Sequence, residues 1–330
     1  MRFAFTDDQR AFRDTVRDFL FAECPASLVR AEATSPGDAW RGLWSKLAEM
    51  GVVGLTAPES RGGLGLGPLD LVLILEETGR AAMPGPIVET TAVALTLLGD
   101  DERAERVASG DEIVAVALDG GDDIAFGADA DWLVVADGEH VGVVPRDAVR
   151  AEPVESVDGL RRLAKVEWRA TSATPIGGSG EIASARDRGA TATAAQLCGV
   201  AARLLELAVD YAKERHQFGV PIGSFQAVKH HCANVALKLE YARPVVYRAA
   251  YSLQHDDPDR SVHASMAKAY ASEAARLAAR VALQVHGAIG YTAEHDLQLW
   301  MKRAWSLSVA WGDAAAHRAA VADAVLGASS

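Results

Sequence analysis

Two short segments carry residue types that can do chemistry together. The first is Arg215-His216-Gln217-Phe218-Gly219, continuing through Pro221-Ile222-Gly223-Ser224-Phe225-Gln226-Ala227-Val228-Lys229-His230. A guanidinium fork suits a pyrophosphate, and the Phe218 ring offers a face on which an adenine stacks. By itself the segment also reads as a helix C-terminus with a cation on its dipole. The second is Gln284-Val285-His286-Gly287-Ala288-Ile289-Gly290-Tyr291-Thr292, which ends one helix and starts the next. Free N–H groups and missing Cβ atoms there let backbone approach a phosphate. An ordinary helix–helix turn has the same composition.

No self-contained active site stands beside them. There is no Gly-x-Gly-x-x-Gly after a strand, no phosphate-binding loop and no Ser elbow. Gly62, Gly63, Gly65 and Gly67 lie in a loop from Pro58 to Pro68 that lacks the following Lys-Ser/Thr. His230 and His231 are adjacent, so on a helix they point about 100° apart, with no second His or carboxylate four residues on. Cys24, Cys198 and Cys232 fit no metal spacing and read as reduced structural thiols. The formal net charge of −12 argues against nucleic acid and against an anionic membrane surface as partners. The N-terminus lacks a signal peptide, and no stretch reads as the roughly 20 apolar residues of a membrane span. The expectation is a soluble, cytoplasmic chain.

The elements that must position these segments are mostly helices. Thr6-Asp7-Asp8-Gln9 has the pattern of a capping box, and Phe12, Val16, Phe19 and Leu20 follow at helical spacing. Trp40, Leu43, Trp44, Leu47 and Met50 mark a second stripe, closed by Gly51 as a left-handed cap. Leu71 to Leu75 is apolar all round, which predicts a buried helix. Near Asp111 the character changes. Ile113–Leu118, Trp132–Ala136, Val141–Val144 and Ala164–Trp168 are short strand-like runs punctuated by Gly, Asp and Pro. From about Ala185 the chain reads as helical to its end. Phe225, Val228, Cys232, Val235 and Leu239, and then Met266, Tyr270, Leu277, Val281 and Gln284, have the spacing of bundle seams. The reading is a mostly α chain with a small β middle: an N-terminal helical domain over 1–112, a reduced β domain over 113–184 and a C-terminal four-helix domain over 185–330.

Together the two segments resemble the signatures of the acyl-CoA dehydrogenase family. Gln217-Phe218-Gly219 through His230, and Gln284 through Tyr291 with Glu294-His295-Asp296, match its C-terminal motifs. Leu64-Gly65-Leu66-Gly67 with Glu76-Glu77-Thr78-Gly79-Arg80 is similar to its N-terminal stretch. The resemblance covers almost the whole chain. It implies the family fold, with a helical domain, a β domain and a C-terminal four-helix bundle, in a dimer or tetramer holding FAD at an interface. It implies an oxidoreductase in which a Glu base removes the α-proton of an acyl-CoA while the β-hydride passes to flavin. Arg215, Gln217, Phe218, Gln284 and Gly287 would then contact the adenine and pyrophosphate of the FAD, largely that of a neighbouring subunit. An electron-transferring flavoprotein is the acceptor that the family implies.

The sequence departs from the family where the chemistry should be. Ala310-Trp311-Gly312-Asp313 stands at the family's Tyr-Glu-Gly-Thr-like stretch, so Trp311 occupies the Glu position, and an indole cannot be a general base. The alternative Glu position of some relatives falls near Gly189, with no Glu close by. Asp313, two residues off, matches a residue that touches flavin, where an anion beside FAD phosphates is repulsive. Asp119-Gly120-Gly121-Asp122-Asp123 replaces the expected Thr-Glu-Pro and Gly-Ser-Asp, and Ala288 replaces a Gly. The parts that face one's own flavin are lost and most parts that serve a neighbour's flavin are kept. The expectation is therefore a subunit without a catalytic residue of its own, like the short chain of bacterial α2β2 heterotetramers, several of which act on CoA esters in steroid degradation. It shares its FAD with a homologous catalytic subunit. Two other readings are a self-sufficient homo-oligomeric dehydrogenase with an atypical base, and a non-redox binding or scaffold protein of the same fold.

Overall fold

A computed structural model describes residues 4–118 and 123–327. The Asp119–Asp122 part of the departure noted above lies outside them.

Six helices form the N-terminal part: α1 (Asp7–Glu23), α2 (Ala26–Thr34), α3 (Ala39–Glu49), α4 (Pro68–Arg80), α5 (Leu95–Leu98) and α6 (Arg103–Ala108). The expected capping box starts α1: Gln9 N–H donates to Thr6 Oγ1 at 3.2 Å and Thr6 N–H to Gln9 Oε1 at 2.9 Å. Gly51 follows α3 at φ +80°, the left-handed conformation a Cβ disfavours. Leu71, Val72, Leu73, Ile74 and Leu75 are all buried, as a helix apolar on every face requires. A π-helical turn, Val88–Ala94, precedes α5 and is buried throughout.

Among the described residues the β part holds seven strands: β1 (Val114–Ala117), β2 (Asp123–Ala125), β3 (Trp132–Asp137), β4 (His140–Pro145), β5 (Val149–Pro153), β6 (Leu163–Trp168) and β7 (Thr174–Gly178). One sheet has the order β1-β3-β4-β7 and a second β2-β6-β5. The pair β1–β3 is parallel and the other pairs are antiparallel. Three strands escaped the sequence reading. β2 is three residues long, β5 is largely exposed and β7 carries a Pro and two Gly.

The C-terminal part has five helices: α7 (Ser179–Glu214), α8 (Gln226–Gln254), α9 (Arg260–His286), α10 (Leu297–Val309) and α11 (Ala314–Leu326). A two-stranded hairpin, β8 (His216–Gln217) and β9 (Val220–Pro221), lies between α7 and α8. Helix α9 packs against α7, α8, α10 and α11. Its buried face is made of Ala264, Ala267, Ala271, Ala274, Ala275, Ala278 and Ala282. Small side chains let the axes approach closely. This corrects the seam read from the sequence: of that set Val281 is buried, while Tyr270 and Gln284 face outward. On α8 only Val235 and Leu239 of the expected seam are buried, and Phe225 is exposed. A second correction concerns α7. By length and apolar composition it qualifies as a membrane span, contrary to the reading above, yet 72% of its apolar window is buried inside the protein. It is the central core helix.

Helices α4 and α7 touch backbone to backbone. A Cβ on Gly79 would lie 2.1 Å from the Gln196 carbonyl oxygen, and one on Gly199 would lie 1.8 Å from that of Glu76. Only glycine permits that approach.

A turn at 158–162 joins the three parts. Arg303 Nε of α10 donates to Asp158 Oδ2 at 2.6 Å, and both side chains are almost wholly buried. Arg161 faces Glu89 of the π-helical turn at 3.5 Å. Arg162 donates to both oxygens of Asp129, at 2.8 and 2.6 Å, and to the Gly37 carbonyl at 3.0 Å.

Candidate functional site

The first segment begins where α7 ends. Arg215 is the C-cap residue, its N–H bonded to the Tyr211 carbonyl. The chain then reverses, with Gln217 paired to Val220 and His216 to Pro221. Phe218 and Gly219 form the two-residue turn, at φ +53° and +79°. Two successive positive φ values give the tight hairpin turn whose twist matches its strands. Gly219 accepts this freely, whereas Phe218 is a bulky residue in a region it disfavours. The Phe218 side chain is 92% exposed and meets Phe225 edge to face with centroids 6.1 Å apart. Arg215 and Gln217 are exposed beside it, with Gln217 Nε2 donating to the His216 carbonyl at 2.8 Å.

The second segment ends α9. Gly287 has φ +64° and ψ −140°, a conformation close to glycine-only. Gln284, Gly287 and Ala288 are exposed. His286, one position before Gly287, is buried. Its ring stacks on Tyr211 at 4.4 Å and meets His295 at 4.8 Å. Burial holds its pKa below the ordinary imidazole value; a hydrogen bond to the Ala282 carbonyl works against this and His295 adds to it. Because Tyr211 lies one turn before Arg215, the Tyr211–His286 stack brings the ends of α7 and α9, and so both segments, to one end of the bundle. Arg30 of α2 braces the turn that follows. It donates to the carbonyls of Ala293 at 2.8 Å and Glu294 at 2.7 Å, and pairs with Asp296. Neither Arg30 nor Tyr211 was singled out from the sequence, since both act through tertiary contacts.

The two positions where the resemblance would put a base face each other. A Cβ built on Gly189 would lie 2.4–2.6 Å from the ring atoms of Trp311, so the indole rests on the Gly189 backbone. Trp311 and Gly312 link α10 to α11 at φ +57° and +89°. Their carbonyls are both held: His317 Nε2 bonds Trp311 O at 2.8 Å, and Lys268 Nζ donates to Gly312 O at 2.8 Å and Ser308 O at 3.1 Å. Lys268 is fully buried, and burial pulls its ammonium down to about 7, with Asp313 opposing. Asp313 caps α11 by accepting from Ala316 N–H at 2.8 Å, and this bond is the main cause of its lowered pKa. A carboxylate so engaged is a helix cap.

Trp311 also lines a cleft of ≈ 130 Å³ with Glu89, Val116, Ile124 and Arg161. Glu89 is a buried carboxylate that the sequence reading missed. Only the fold brings the π-helical turn, the 158–162 turn and the α10–α11 loop together. Among the described residues no group of three or more His, Cys, Asp or Glu could hold a metal.

Comparison with known proteins gives this arrangement of a helical domain, a small β domain and a helical bundle its family. The acyl-CoA dehydrogenase N-terminal domain matches residues 6–110 and the acyl-CoA dehydrogenase C-terminal domain matches residues 177–326. The chain belongs to the acyl-CoA dehydrogenase family. It is 36% identical over 302 residues to acyl-CoA dehydrogenase IpdE2 of Mycolicibacterium smegmatis, covering 91% of this chain and 93% of that protein. It is 35% identical over 333 residues to acyl-CoA dehydrogenase FadE34 of Mycobacterium tuberculosis, covering 91% of this chain but only 45% of that protein. The chain thus spans about half the length of FadE34. A chain of the ChsE4–ChsE5 complex from Mycobacterium tuberculosis superposes with a TM-score of 0.90 at 25% identity, over 100% of both chains.

Proposed function

We propose that this chain is the supporting subunit of an FAD-dependent acyl-CoA dehydrogenase, an oxidoreductase that makes an α,β double bond in an acyl-CoA thioester. It closes the adenine and pyrophosphate end of an FAD whose ring and Glu base belong to a homologous partner. The observation that carries this is the Phe218–Gly219 hairpin tip. A phenyl ring at φ +53° and 92% exposed is strained and solvated at once, and its edge-to-face contact with Phe225 leaves most of the ring bare. A purine of a neighbour's cofactor would cover it. Arg215 and Gln217 beside it suit the pyrophosphate, and the glycine-only backbone at Gly287 suits a close phosphate. The ring half does not fit this chain: Trp311 stands where the base would be, and the cleft beside it is small and crossed by the Arg161–Glu89 pair.

Two further points support a heteromeric setting. The structural match is to a complex of two differently named chains, and FadE34 leaves more than half its length outside the match, room for a second unit of this size. Exposed Leu237 and Tyr241, one turn apart on α8, offer apolar surface for such a partner. CoA esters of the steroid side-chain class, an electron-transferring flavoprotein as acceptor and a cytoplasmic heterotetramer complete the proposal.

A second reading, a homo-oligomer with its own base, is favoured by Glu89, a buried carboxylate in the same cleft as Trp311. One measurement separates the two: flavin absorbance per mole of polypeptide, for the chain alone and with its partner. The proposal expects a colourless chain and one FAD per pair of unlike chains. One FAD on each lone chain would overturn it in favour of Glu89.

A further inference from the structure

Trp311 does more than fail to be a base. Its indole lies against the Gly189 backbone, closer than any side chain there would allow. Its own backbone is held at φ +57°, outside the range a bulky residue prefers. The strain is maintained from both sides, by His317 on its carbonyl and by the buried Lys268 on the next one. Lys268 also donates to Ser308 O and to Ser272 Oγ, at 3.1 and 3.2 Å, so three acceptors surround one ammonium. His317 is in turn fixed by Ser265 at 3.1 Å through its other ring nitrogen. A loop that merely joins two helices needs neither a strained indole nor two polar clamps, one of them a fully buried lysine.

We infer that Trp311 is a built-in occupant of this subunit's own substrate cavity: its indole fills the space between Gly189 and the cleft, and thereby excludes a flat apolar ligand from it. The inference rests on the reading that the chain is a supporting subunit, and it adds the specificity determinant. The positions facing each other at this spot are those that the family resemblance assigns to the base. Whatever enters here must displace the ring, and the His317 and Lys268 clamps keep the ring in place. Turnover is thereby confined to the partner, even though this chain keeps the fold of a complete dehydrogenase. Removing the indole opens a ring-shaped space between the Gly189 backbone and the cleft that the Arg161–Glu89 pair crosses. A space vacated by an aromatic ring is matched in shape by an aromatic probe, as an engineered cavity of ~150 Å³ takes benzene.

The test is a thermodynamic cycle on the whole purified chain, with indole as probe. Trp311→Gly suits the backbone, because glycine accepts φ +57° without strain. It is expected to lower the melting temperature, and millimolar indole is expected to restore it saturably while leaving the parent chain unmoved. Gly189→Ala introduces the Cβ that would meet the ring. Its penalty is expected in the parent and absent in the Trp311→Gly background. An equal Gly189→Ala penalty in both backgrounds, or a Trp311→Gly chain indifferent to indole, overturns the inference. Should Trp311→Gly not fold, Trp311→Phe takes its place in the cycle, and a Gly189→Ala penalty undiminished there counts against the inference in the same way. The flavin count of the heteromer is read separately. A shared FAD with a negative cycle sinks only the plug, whereas a positive cycle on a chain carrying its own FAD sinks the supporting-subunit reading.

Discussion

Asp158→Ala should be among the most damaging single changes in the chain. Arg303 is 3% exposed and Asp158 is 2% exposed, so water cannot replace what the substitution removes. Arg303 Nε loses its 2.6 Å carboxylate partner and keeps the Met83 carbonyl at 3.2 Å on Nη1, while Nη2 is already buried without a partner. Leaving a buried charge uncompensated costs ~3–5 kcal/mol. The bond from Leu160 N–H to Asp158 Oδ1, 3.2 Å, adds about 1 kcal/mol. The loss should therefore be about 4–6 kcal/mol, a large share of the ~5–15 kcal/mol that keeps a domain folded. The assay is urea unfolding followed by far-UV circular dichroism and tryptophan fluorescence together, because a chain of several parts need not unfold in one step. Replacing both partners, Asp158→Leu with Arg303→Met, should recover most of the loss, since it removes the buried charge as well as its partner. A loss under 1 kcal/mol for Asp158→Ala, or a double variant as unstable as the sum of the singles, would refute the view that this pair bolts the β part to the bundle.

Other expectations follow from the same geometry. Lys268 is held down to about 7 from 10.5, so between those values the unfolded chain binds a proton that the folded chain does not, and stability rises with pH. The parent should gain about 2 kcal/mol over Lys268→Met between pH 7 and 9 in paired unfolding curves; no divergence would contradict this. Arg215→Ala should leave the melting temperature of the lone chain unchanged, since the side chain is exposed. It should weaken FAD retention by the heteromer roughly 10- to 100-fold, the value of a charge-assisted hydrogen bond, read by flavin release on dilution. Gly199→Ala places a Cβ 1.8 Å from the Glu76 carbonyl oxygen and should cost ~1–3 kcal/mol or more, seen in thermal unfolding. Cys24 and Cys198 are buried and their thiols pushed up, Cys24 to about 12, so a thiol reagent should titrate at most Cys232 in the native chain.

Local rules were legible in the sequence. The capping box at Thr6, the left-handed Gly51 and the fully apolar Leu71–Leu75 turn each depend on neighbours within a few residues. The hairpin at Phe218 was visible as a Gly turn but not as strained, because strain is a property of φ. The α9 seam was misread because alanine, a weak hydrophobic signal, forms most of the real interface, while Tyr270 and Gln284 of the larger residues face outward. Glu89 was missed for a different reason. Its meaning comes from Arg161 and Trp311, which reach it from separate parts of the fold. The contact of Gly189 with Trp311 was half legible, since the family resemblance marked both positions without showing that they touch.

The meeting of α4 and α7 sets an index for everything beyond it. Gly79 and Gly199 act as two teeth of one ratchet, each engaged with the other helix's main chain. One added or deleted residue between Gly199 and Arg215 would turn the Phe218 tip by about 100° about the axis of α7, aiming it away from any neighbour. The stretch of α7 between Gly199 and Arg215 therefore cannot change length without re-aiming the tip.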